Sequence, residues 1–251
     1  MAQTIFITGA SAGFGEACAR LFARPGNRLI LAARRLERLE SLKQELSPTC
    51  AVHIEKLDVR DRRAVESLVS SLPDSFRDID VLVNNAGLAL GLEPAHHVDI
   101  EDWEIMVDTN IKGLMYCTRY VLPGMVERNC GHIVNISSTA GSWPYPGGNV
   151  YGGTKAFVTQ FSRNLRADLL GSRVRVTCIQ PGMAETEFSD VRFKGDLDKA
   201  NGVYVGTNPM TADDIAEAVE WVVNRPAHVN INSIEMMSIN QSWGHLAVHR
   251  E

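Results

Sequence analysis

A tyrosine and a lysine lie four residues apart in the segment "NVYGGTKAF", at Tyr151 and Lys155. An α-helix has about 3.6 residues per turn, so this spacing puts both side chains on one helix face. A tyrosine in water has a pKa near ~10 and is a poor base, but a neighbouring ammonium group can lower that pKa. The pair could therefore take a proton from an alcohol, or it could be two polar residues on a solvated face.

Ser138 favours the chemical interpretation. It follows the strand-like run 131–137, so its hydroxyl would lie at the carboxyl end of a strand, where open α/β sheets bind ligands. There it could form a hydrogen bond with a reacting oxygen. For its neighbour Ser137 we prefer the simpler interpretation, a serine that caps the turn before Gly141.

Asn110, in "DTNIKG", is the fourth candidate. It lies within a helix predicted over 101–124, where an asparagine followed closely by Gly113 is unfavourable. Either the helix is kinked there, which would leave backbone carbonyls free for water, or the position serves another purpose.

A glycine-rich turn follows the first strand-like run, in "TGASAGFG". Gly9, Gly13 and Gly15 would let the backbone, with Ser11 and Phe14, come close to a dinucleotide pyrophosphate at a helix N-terminus, where unpaired N–H groups attract anions. The spacing is GxxxGxG and not GxGxxG. A purely structural turn is the alternative, but the position after strand one of a βαβ chain favours a nucleotide.

The end of the second strand-like run indicates which nucleotide. An acidic residue there would bind the ribose hydroxyls of NAD, but this chain has "LAARRLERL", with Arg34 and Arg35. An arginine can hold a phosphate with two hydrogen bonds, so NADP is favoured. The alternative is that both arginines are surface charges at the start of a helix.

Short apolar runs alternate with amphipathic segments along the whole chain, and no linker or repeat divides it. The runs predicted as strands are 4–8, 28–33, 51–57, 80–85, 131–137, 173–179 and 233–239. Nearly continuous Ile, Val and Leu is typical of a parallel sheet covered on both faces. We therefore predict an α/β fold over 1–251: one doubly wound, Rossmann-like domain with a parallel seven-stranded sheet and helices on both faces.

Two segments depart from this regular alternation. The stretch of about 182–210 is the least regular, which suggests a lid, although a disordered insertion is the alternative. The C-terminal segment 231–251 is rich in methionine and contains Trp243, so we expect it to pack against another subunit.

Composition limits the function classes. The 251 residues carry a formal net charge of -5 with a pI of about 5.8, which argues against nucleic acid or an anionic membrane as a partner. The five cysteines and the histidines lack metal-ligand spacing, so neither a disulfide framework nor a metal is expected. No basic leader or long apolar run is present, and we expect a cytoplasmic protein.

In order and spacing, "TGASAGFG", "NNAG", Asn110, Ser138 and "YGGTK" resemble the short-chain dehydrogenase/reductase family over nearly the whole chain. The resemblance implies that Tyr151 is the acid/base and that Lys155 lowers its pKa and contacts the nicotinamide ribose. It implies that Ser138 positions the substrate oxygen and that Asn110 holds a water in a proton relay. The remaining cofactor contacts that it implies are Asp58 and Val59 at the adenine, Asn85 near the ribose, Arg34 at the phosphate of NADP, and Pro181, Gly182 and Thr186 beside the carboxamide.

Further segments, among them "STAGSWPYPGGNVYGGTKAFV" and "PAHVNINSIEMM", resemble one subgroup, the bacterial NADP-dependent 3-hydroxy acid dehydrogenases. This implies oxidation of serine, allo-threonine, 3-hydroxyisobutyrate or 3-hydroxypropionate, the reverse reduction of malonic semialdehyde, and a homotetramer. Arg192 and Lys194 are the predicted partners of the substrate carboxylate; surface charges on a mobile loop are the alternative. A reductase of a 3-oxoacyl thioester, sugar or steroid, and a non-catalytic NADP-binding sensor, also stay open.

Overall fold

Seven strands form the parallel sheet that the apolar runs predict, in a computed structural model that describes residues 2–243. The strands are β1 (Thr4–Thr8), β2 (Arg28–Ala33), β3 (Ala51–Lys56), β4 (Val81–Asn84), β5 (Gly131–Ile136), β6 (Val174–Pro181) and β7 (Ser233–Met236). Their order in the sheet is β3-β2-β1-β4-β5-β6-β7, and every pairing is parallel. The strand order reverses between β1 and β4, where such sheets open a crevice for ligands.

Helices cover both faces of the sheet because successive strand residues point to opposite sides. The helices are α1 (Gly13–Phe22), α2 (Leu36–Leu46), α3 (Arg62–Ser71), α4 (Ile100–Val107), α5 (Leu114–Glu127), α6 (Asn149–Asp168), α7 (Phe188–Arg192), α8 (Leu197–Gly202) and α9 (Ala212–Val223). In β1, Ile5 and Ile7 pack with residues of α1, α2 and α9, whereas Phe6 packs with residues of α3, α5 and α6. The predicted doubly wound fold is thus confirmed.

The region predicted as a helix over 101–124 is helical, and the irregularity expected at Asn110 is a π-helical turn. A π-helical turn at Asp108–Gly113 separates α4 from α5, and Asn110 lies within it. Such turns insert one extra residue into the helix and often lie at functional sites. The unfavourable helix chemistry around Asn110 therefore marks a real interruption of the helix.

The segment 182–210 is more regular than predicted. It contains α7 and α8, and the side chain of Asp196 caps α8 by accepting a hydrogen bond from the Lys199 backbone. A parallel bridge between Ala184 and Met210 ties its two ends together.

Within residues 2–243, no helix is both long and apolar enough to cross a membrane. The predicted subunit-contacting segment 231–251 lies partly outside the described residues, which end at Trp243.

Candidate active site

A cleft of about 290 Å³ lies at the carboxyl edge of the sheet. The predicted site residues that line it are Gly9, Ser11, Gly13, Phe14, Arg34, Arg35, Asp58, Val59, Asn85, Tyr151, Lys155 and Thr186. The other predicted residues lie outside its lining: Gly15, Asn110, Ser138, Pro181, Gly182, Arg192 and Lys194. The cleft therefore joins the glycine turn to the tyrosine and lysine of α6.

The glycine turn needs glycine for two different reasons. Gly9 and Gly13 have φ values of +68° and +54°, a conformation that side-chain-bearing residues rarely adopt. Gly15 has no such constraint, but a Cβ there would lie 2.4 Å from the Gly9 carbonyl oxygen. Gly15 therefore lets α1 pack against the turn, which explains why it does not line the cleft itself.

The first turn of α1 is suited to an anion. Its N-terminal cap is Ala12, which offers no side chain to satisfy the free N–H groups of the helix. The Asn85 amide fixes the turn beside it by donating hydrogen bonds to the carbonyl oxygens of Thr8 (2.9 Å) and Gly9 (3.2 Å). Asn85 lines the cleft, and these bonds show that it also holds the turn in shape.

The two predicted arginines face the same end of the cleft but have different partners. Arg35 donates hydrogen bonds to the Ser11 hydroxyl at 3.3 Å and, through Nη1, to Glu187 at 2.9 Å. The opposite carboxylate oxygen of Glu187 accepts a hydrogen bond from Arg38, at 2.5 Å. Arg34 lines the cleft, and its positive charge helps to lower the pKa of Asp58, after the larger effect of the Arg60 hydrogen bond.

Tyr151 lies in the first turn of α6 and is 9% exposed. Burial raises the pKa of its phenol to about 12, and the charge of Arg192 and a hydrogen bond with Ser138 oppose this rise. Among the cations, Arg192 thus opposes the rise in the pKa of Tyr151 most. The sequence predicted Lys155 for this effect. Without ligands, the tyrosine is a proton donor at neutral pH.

Lys155 lies one turn further along α6 and is 5% exposed. Its ammonium group donates a hydrogen bond to the Ile136 carbonyl at 3.0 Å and lies 5.8 Å from the centroid of the Tyr151 ring. Burial lowers the pKa of the amine to about 8. A buried lysine with a single carbonyl partner is costly to the fold, which argues for a functional role.

The two serines after β5 have different partners. The Ser138 hydroxyl caps the short 3₁₀ turn Thr139–Gly141 by accepting from Ala140 at 3.1 Å, and it donates to the Pro181 carbonyl at 3.3 Å. The prediction that Ser137 caps this turn is wrong. Its hydroxyl instead donates to the carbonyl of Lys155 at 2.8 Å. Ser137 therefore ties α6 to β5 at the level of the lysine.

Asn110 uses its whole side chain to bind the protein. Its amide oxygen accepts from the Leu88 backbone at 2.9 Å, and its amide nitrogen donates to the Leu88 carbonyl and to the Thr154 hydroxyl. A Cβ on Gly87 would lie 3.2 Å from this amide oxygen and 3.4 Å from the Lys155 ammonium, so a larger residue there would crowd the Asn110 amide. A water held by Asn110 would therefore have to bind the backbone of the π-helical turn.

The residues after β6 connect the strand to α7. Pro181 accepts a hydrogen bond from Ser138 at 3.3 Å, and Gly182 donates to the backbone of Met236 at 2.8 Å. A Cβ on Gly182 would lie 2.2 Å from the Gln241 side-chain oxygen, so a larger residue there would have to displace that side chain. Thr186 lies across the cleft from the glycine turn, with its Cβ 3.5 Å from a Cβ built on Gly13.

The two predicted carboxylate partners lie in different places. The Arg192 guanidinium lies 5.2 Å from the Tyr151 ring centroid and 5.1 Å from that of Phe188, and its Nε is buried with no hydrogen-bond partner among residues 2–243. Lys194 instead forms an ion pair with Asp102 at 2.8 Å. The structure therefore does not bring Lys194 to the tyrosine, because its ammonium is held by a carboxylate elsewhere.

Among the cleft residues that the sequence did not predict are three from one segment: Glu187, Phe188 and Val191. All three lie at or in α7, inside a segment predicted to be irregular, where no helical periodicity was recognised. Glu187 binds arginines far away in the chain, and no sequence signal identifies such a pair.

Within residues 2–243, no group of three or more His, Cys, Asp or Glu side chains is arranged to hold a metal ion.

Comparisons with known proteins agree with this geometry. The chain is 62% identical over 247 residues to the NADP-dependent 3-hydroxy acid dehydrogenase YdfG of Salmonella typhi (98% of this chain, 99% of the relative). It is 53% identical to the serine 3-dehydrogenase of Rhizobium radiobacter over the full length of both chains. A solved structure, the closed form of serine dehydrogenase complexed with NADP+, matches with a TM-score of 0.96 and 60% identity, covering 98% of this chain and 99% of that one. The family model for short chain dehydrogenase matches residues 3–196, and the chain belongs to the short-chain dehydrogenase family.

Proposed function

We propose that the protein is an NADP-dependent dehydrogenase that oxidises the 3-hydroxyl of small 3-hydroxy acids, serine among them, and reduces the corresponding 3-oxo acids. The observation that carries the proposal is the buried Tyr151 phenol, which has a lysine and an arginine near its ring in a cleft that continues to a glycine turn. The activities named for the relatives at 62% and 53% identity support it.

The cleft fits NADP. The unpaired N–H groups at the start of α1 would hold the pyrophosphate, Arg34 and Arg35 the 2′-phosphate, and Asp58 and Val59 would meet the adenine. Asn85 and Lys155 would contact the ribose of the nicotinamide, and Pro181, Gly182 and Thr186 would surround its carboxamide. When bound, the cofactor accepts a hydride from the alcohol carbon.

The chain supplies the proton chemistry. The Tyr151 oxygen takes the proton of the substrate hydroxyl, and the Ser138 hydroxyl holds the developing carbonyl oxygen by a hydrogen bond. The Lys155 ammonium favours the ionised phenol electrostatically. The π-helical turn around Asn110 would hold a water through its backbone and pass the proton on towards solvent.

Arg192 is the proposed partner of the substrate carboxylate. Its guanidinium lies beside the tyrosine ring, and its buried Nε has no partner within the described chain, so a donor is available where a bound acid would lie. Lys194 is not part of this proposal because Asp102 holds it. Phe188, which packs against Tyr151 with ring centroids 5.7 Å apart, would restrict the site to small substrates.

A substrate panel with NADP+ at alkaline pH tests the proposal. Serine, allo-threonine, 3-hydroxyisobutyrate and 3-hydroxypropionate should be oxidised, and NADPH should reduce malonic semialdehyde. Turnover of only a 3-oxoacyl thioester, a sugar or a steroid would instead support the alternative reductase. NADPH binding without turnover of any of these compounds would support a sensor.

Replacing Arg34 by glutamine should weaken NADP binding about tenfold and leave NAD binding unchanged, because a charge-assisted hydrogen bond to the 2′-phosphate is worth about 1.5–3 kcal/mol. Fluorescence titration with both cofactors measures this. Arg63→Gln, an exposed arginine on α3 outside the cleft, is the matched control. Equal weakening of NADP and NAD would argue against Arg34 as the phosphate ligand.

The segment 182–210 is proposed to act as a lid. Glu187, at the start of α7, bridges Arg35 and Arg38 and so ties the segment to the far side of the cleft mouth. These ion pairs are about half exposed, so each is worth at most about 1 kcal/mol.

Glu187→Gln should therefore speed NADPH release several-fold in stopped-flow fluorescence. The nearby exposed Glu185, changed to glutamine, should leave the rate unchanged; an unchanged rate in Glu187→Gln would remove this ion-pair bridge from the lid proposal.

The expected assembly is a cytoplasmic homotetramer. The C-terminal segment supports it only in part, since residues 244–251 lie outside the described chain; within it, Ile239 is almost fully exposed and Trp243 is half exposed. Size-exclusion chromatography with light scattering would test the assembly, and a monomeric mass would contradict it.

A further inference from the structure

The tyrosine of this site has two cations from different elements near its ring. Lys155, on the same helix as Tyr151, has its ammonium 5.8 Å from the ring centroid. Arg192, at the end of α7, has its guanidinium carbon 5.2 Å from the same centroid. The second cation is therefore at least as close to the ring as the first, although it comes from a segment that crosses the cleft.

Arg192 is held in this position from several sides. Its guanidinium lies 5.1 Å from the Phe188 ring centroid, and its Nη2 donates a long hydrogen bond of 3.4 Å to the Tyr145 hydroxyl. Its backbone carbonyl accepts a 2.9 Å hydrogen bond from Gly91, on the loop after β4. A Cβ on Gly148 would lie 2.7 Å from the Tyr145 ring, so that glycine makes room for the ring. The surrounding chain thus fixes both the backbone and the side chain of Arg192.

Several surrounding elements contribute groups that act on the Tyr151 phenol. Ser138, after β5, helps to lower the pKa of the phenol, and Tyr145, in the loop before α6, is a neutral phenol that Arg192 binds. Within residues 2–243, Lys155 and Arg192 are the two cations found near the ring. The Lys155 ammonium is drawn towards the Ile136 carbonyl, and burial lowers its pKa to about 8. A guanidinium, in contrast, keeps its charge at any working pH.

We propose that Arg192 is a second cation of the acid/base centre, which stabilises the ionised form of Tyr151 in addition to binding the substrate carboxylate. The inference rests on the proposed function, in which Tyr151 is the base. It assigns α7 to the catalytic centre, so that the base is fully activated only when α7 lies over the cleft. It also implies that the carboxylate of an acidic substrate binds the same guanidinium that stabilises the ionised tyrosine.

The test separates the two roles of Arg192 by using an uncharged substrate. With 3-hydroxypropanamide, the amide of 3-hydroxypropionate, no carboxylate needs a partner. The pH profile of kcat in Arg192→Gln should move to higher pH by about one unit, the size of effect that one close charge produces. At a pH below this titration the rate should then fall about tenfold. Arg192→Lys should restore most of the profile, because it returns the positive charge.

The control is Lys199→Gln, which removes one positive charge from the same segment, where Lys199 pairs with Asp196. Its pH profile should match that of the unaltered protein. NADPH binding by Arg192→Gln shows whether the variant is folded. At saturating 3-hydroxypropionate the shift should be smaller than with the amide, because the bound carboxylate partly neutralises the guanidinium.

Three results have distinct meanings. An unchanged kcat profile in Arg192→Gln, together with a raised KM for 3-hydroxypropionate only, would overturn the second role and leave carboxylate binding intact. Undiminished turnover in a variant without the Tyr151 hydroxyl would instead contradict the proposed function itself. A shifted profile in Arg192→Gln that Arg192→Lys restores would support the inference.

Discussion

Tyr151→Phe is expected to lower kcat about 10³-fold or more, because positioned general acid–base groups contribute about 10²–10⁴-fold to a rate. The substitution removes only the phenol oxygen, the one atom proposed to take the substrate proton. The ring stays in its place against Phe188 and below Arg192, so the fold and the cleft should be preserved. NADPH should bind within about tenfold of its normal affinity, since one neutral hydrogen bond is worth about 0.5–1.5 kcal/mol.

Steady-state oxidation of serine and fluorescence titration with NADPH measure these two quantities. Tyr120→Phe is the matched control, because it removes the hydroxyl of a partly buried tyrosine on α5, away from the cleft. It should keep full activity. Turnover of Tyr151→Phe within about tenfold of the unaltered protein would be too small a loss for the proposed proton acceptor.

The strands were predictable from the sequence because a doubly covered parallel sheet leaves a local signal, short runs of buried apolar residues. The glycine turn was predictable for a similar reason. The φ values of Gly9 and Gly13 are local properties of the turn, and both positions are glycine in the sequence. The tyrosine and lysine of α6 follow from helix periodicity. These features depend on residues that are close together in the chain.

The features that were missed depend on distant residues. Glu187 pairs with Arg38, 149 positions away, and no local pattern indicates that contact. The sequence also could not show that Arg192 would lie against the Tyr151 ring while Lys194, two residues later, would pair with Asp102. Which charge meets which partner is decided by how α7 packs.

Lys155→Met is expected to stabilise the protein at about pH 7 while it removes most of the activity. The lysine is 5% exposed, and burial lowers the pKa of its amine from 10.5 to about 8. A shift of this size corresponds to a cost on the order of 3 kcal/mol for keeping the charged amine in the fold. Methionine fills a similar volume without a charge, although it leaves the Ile136 carbonyl without its donor, at a cost of about 1 kcal/mol.

The net gain should therefore be about 2 kcal/mol in the free energy of unfolding, measured by urea denaturation without cofactor. Its pH dependence has a definite sign. An unfolded lysine keeps its proton up to its ordinary pKa of 10.5, whereas the folded one loses it near 8, so the unaltered protein gains stability between these values. The advantage of Lys155→Met should thus shrink at about pH 10, and Lys43→Met, at an exposed position on α2, should show no such trend.

Activity should change in the opposite direction. Without the ammonium, Tyr151 loses one of its two neighbouring cations and the cofactor ribose loses a proposed partner, so kcat should fall by about 10²-fold or more. A variant that is more stable and nearly inactive would identify the buried charge as a cost to the fold that catalysis requires. If Lys155→Met is less stable than the unaltered protein at about pH 7, the lysine contributes to the fold, and its burial is not explained by catalysis alone.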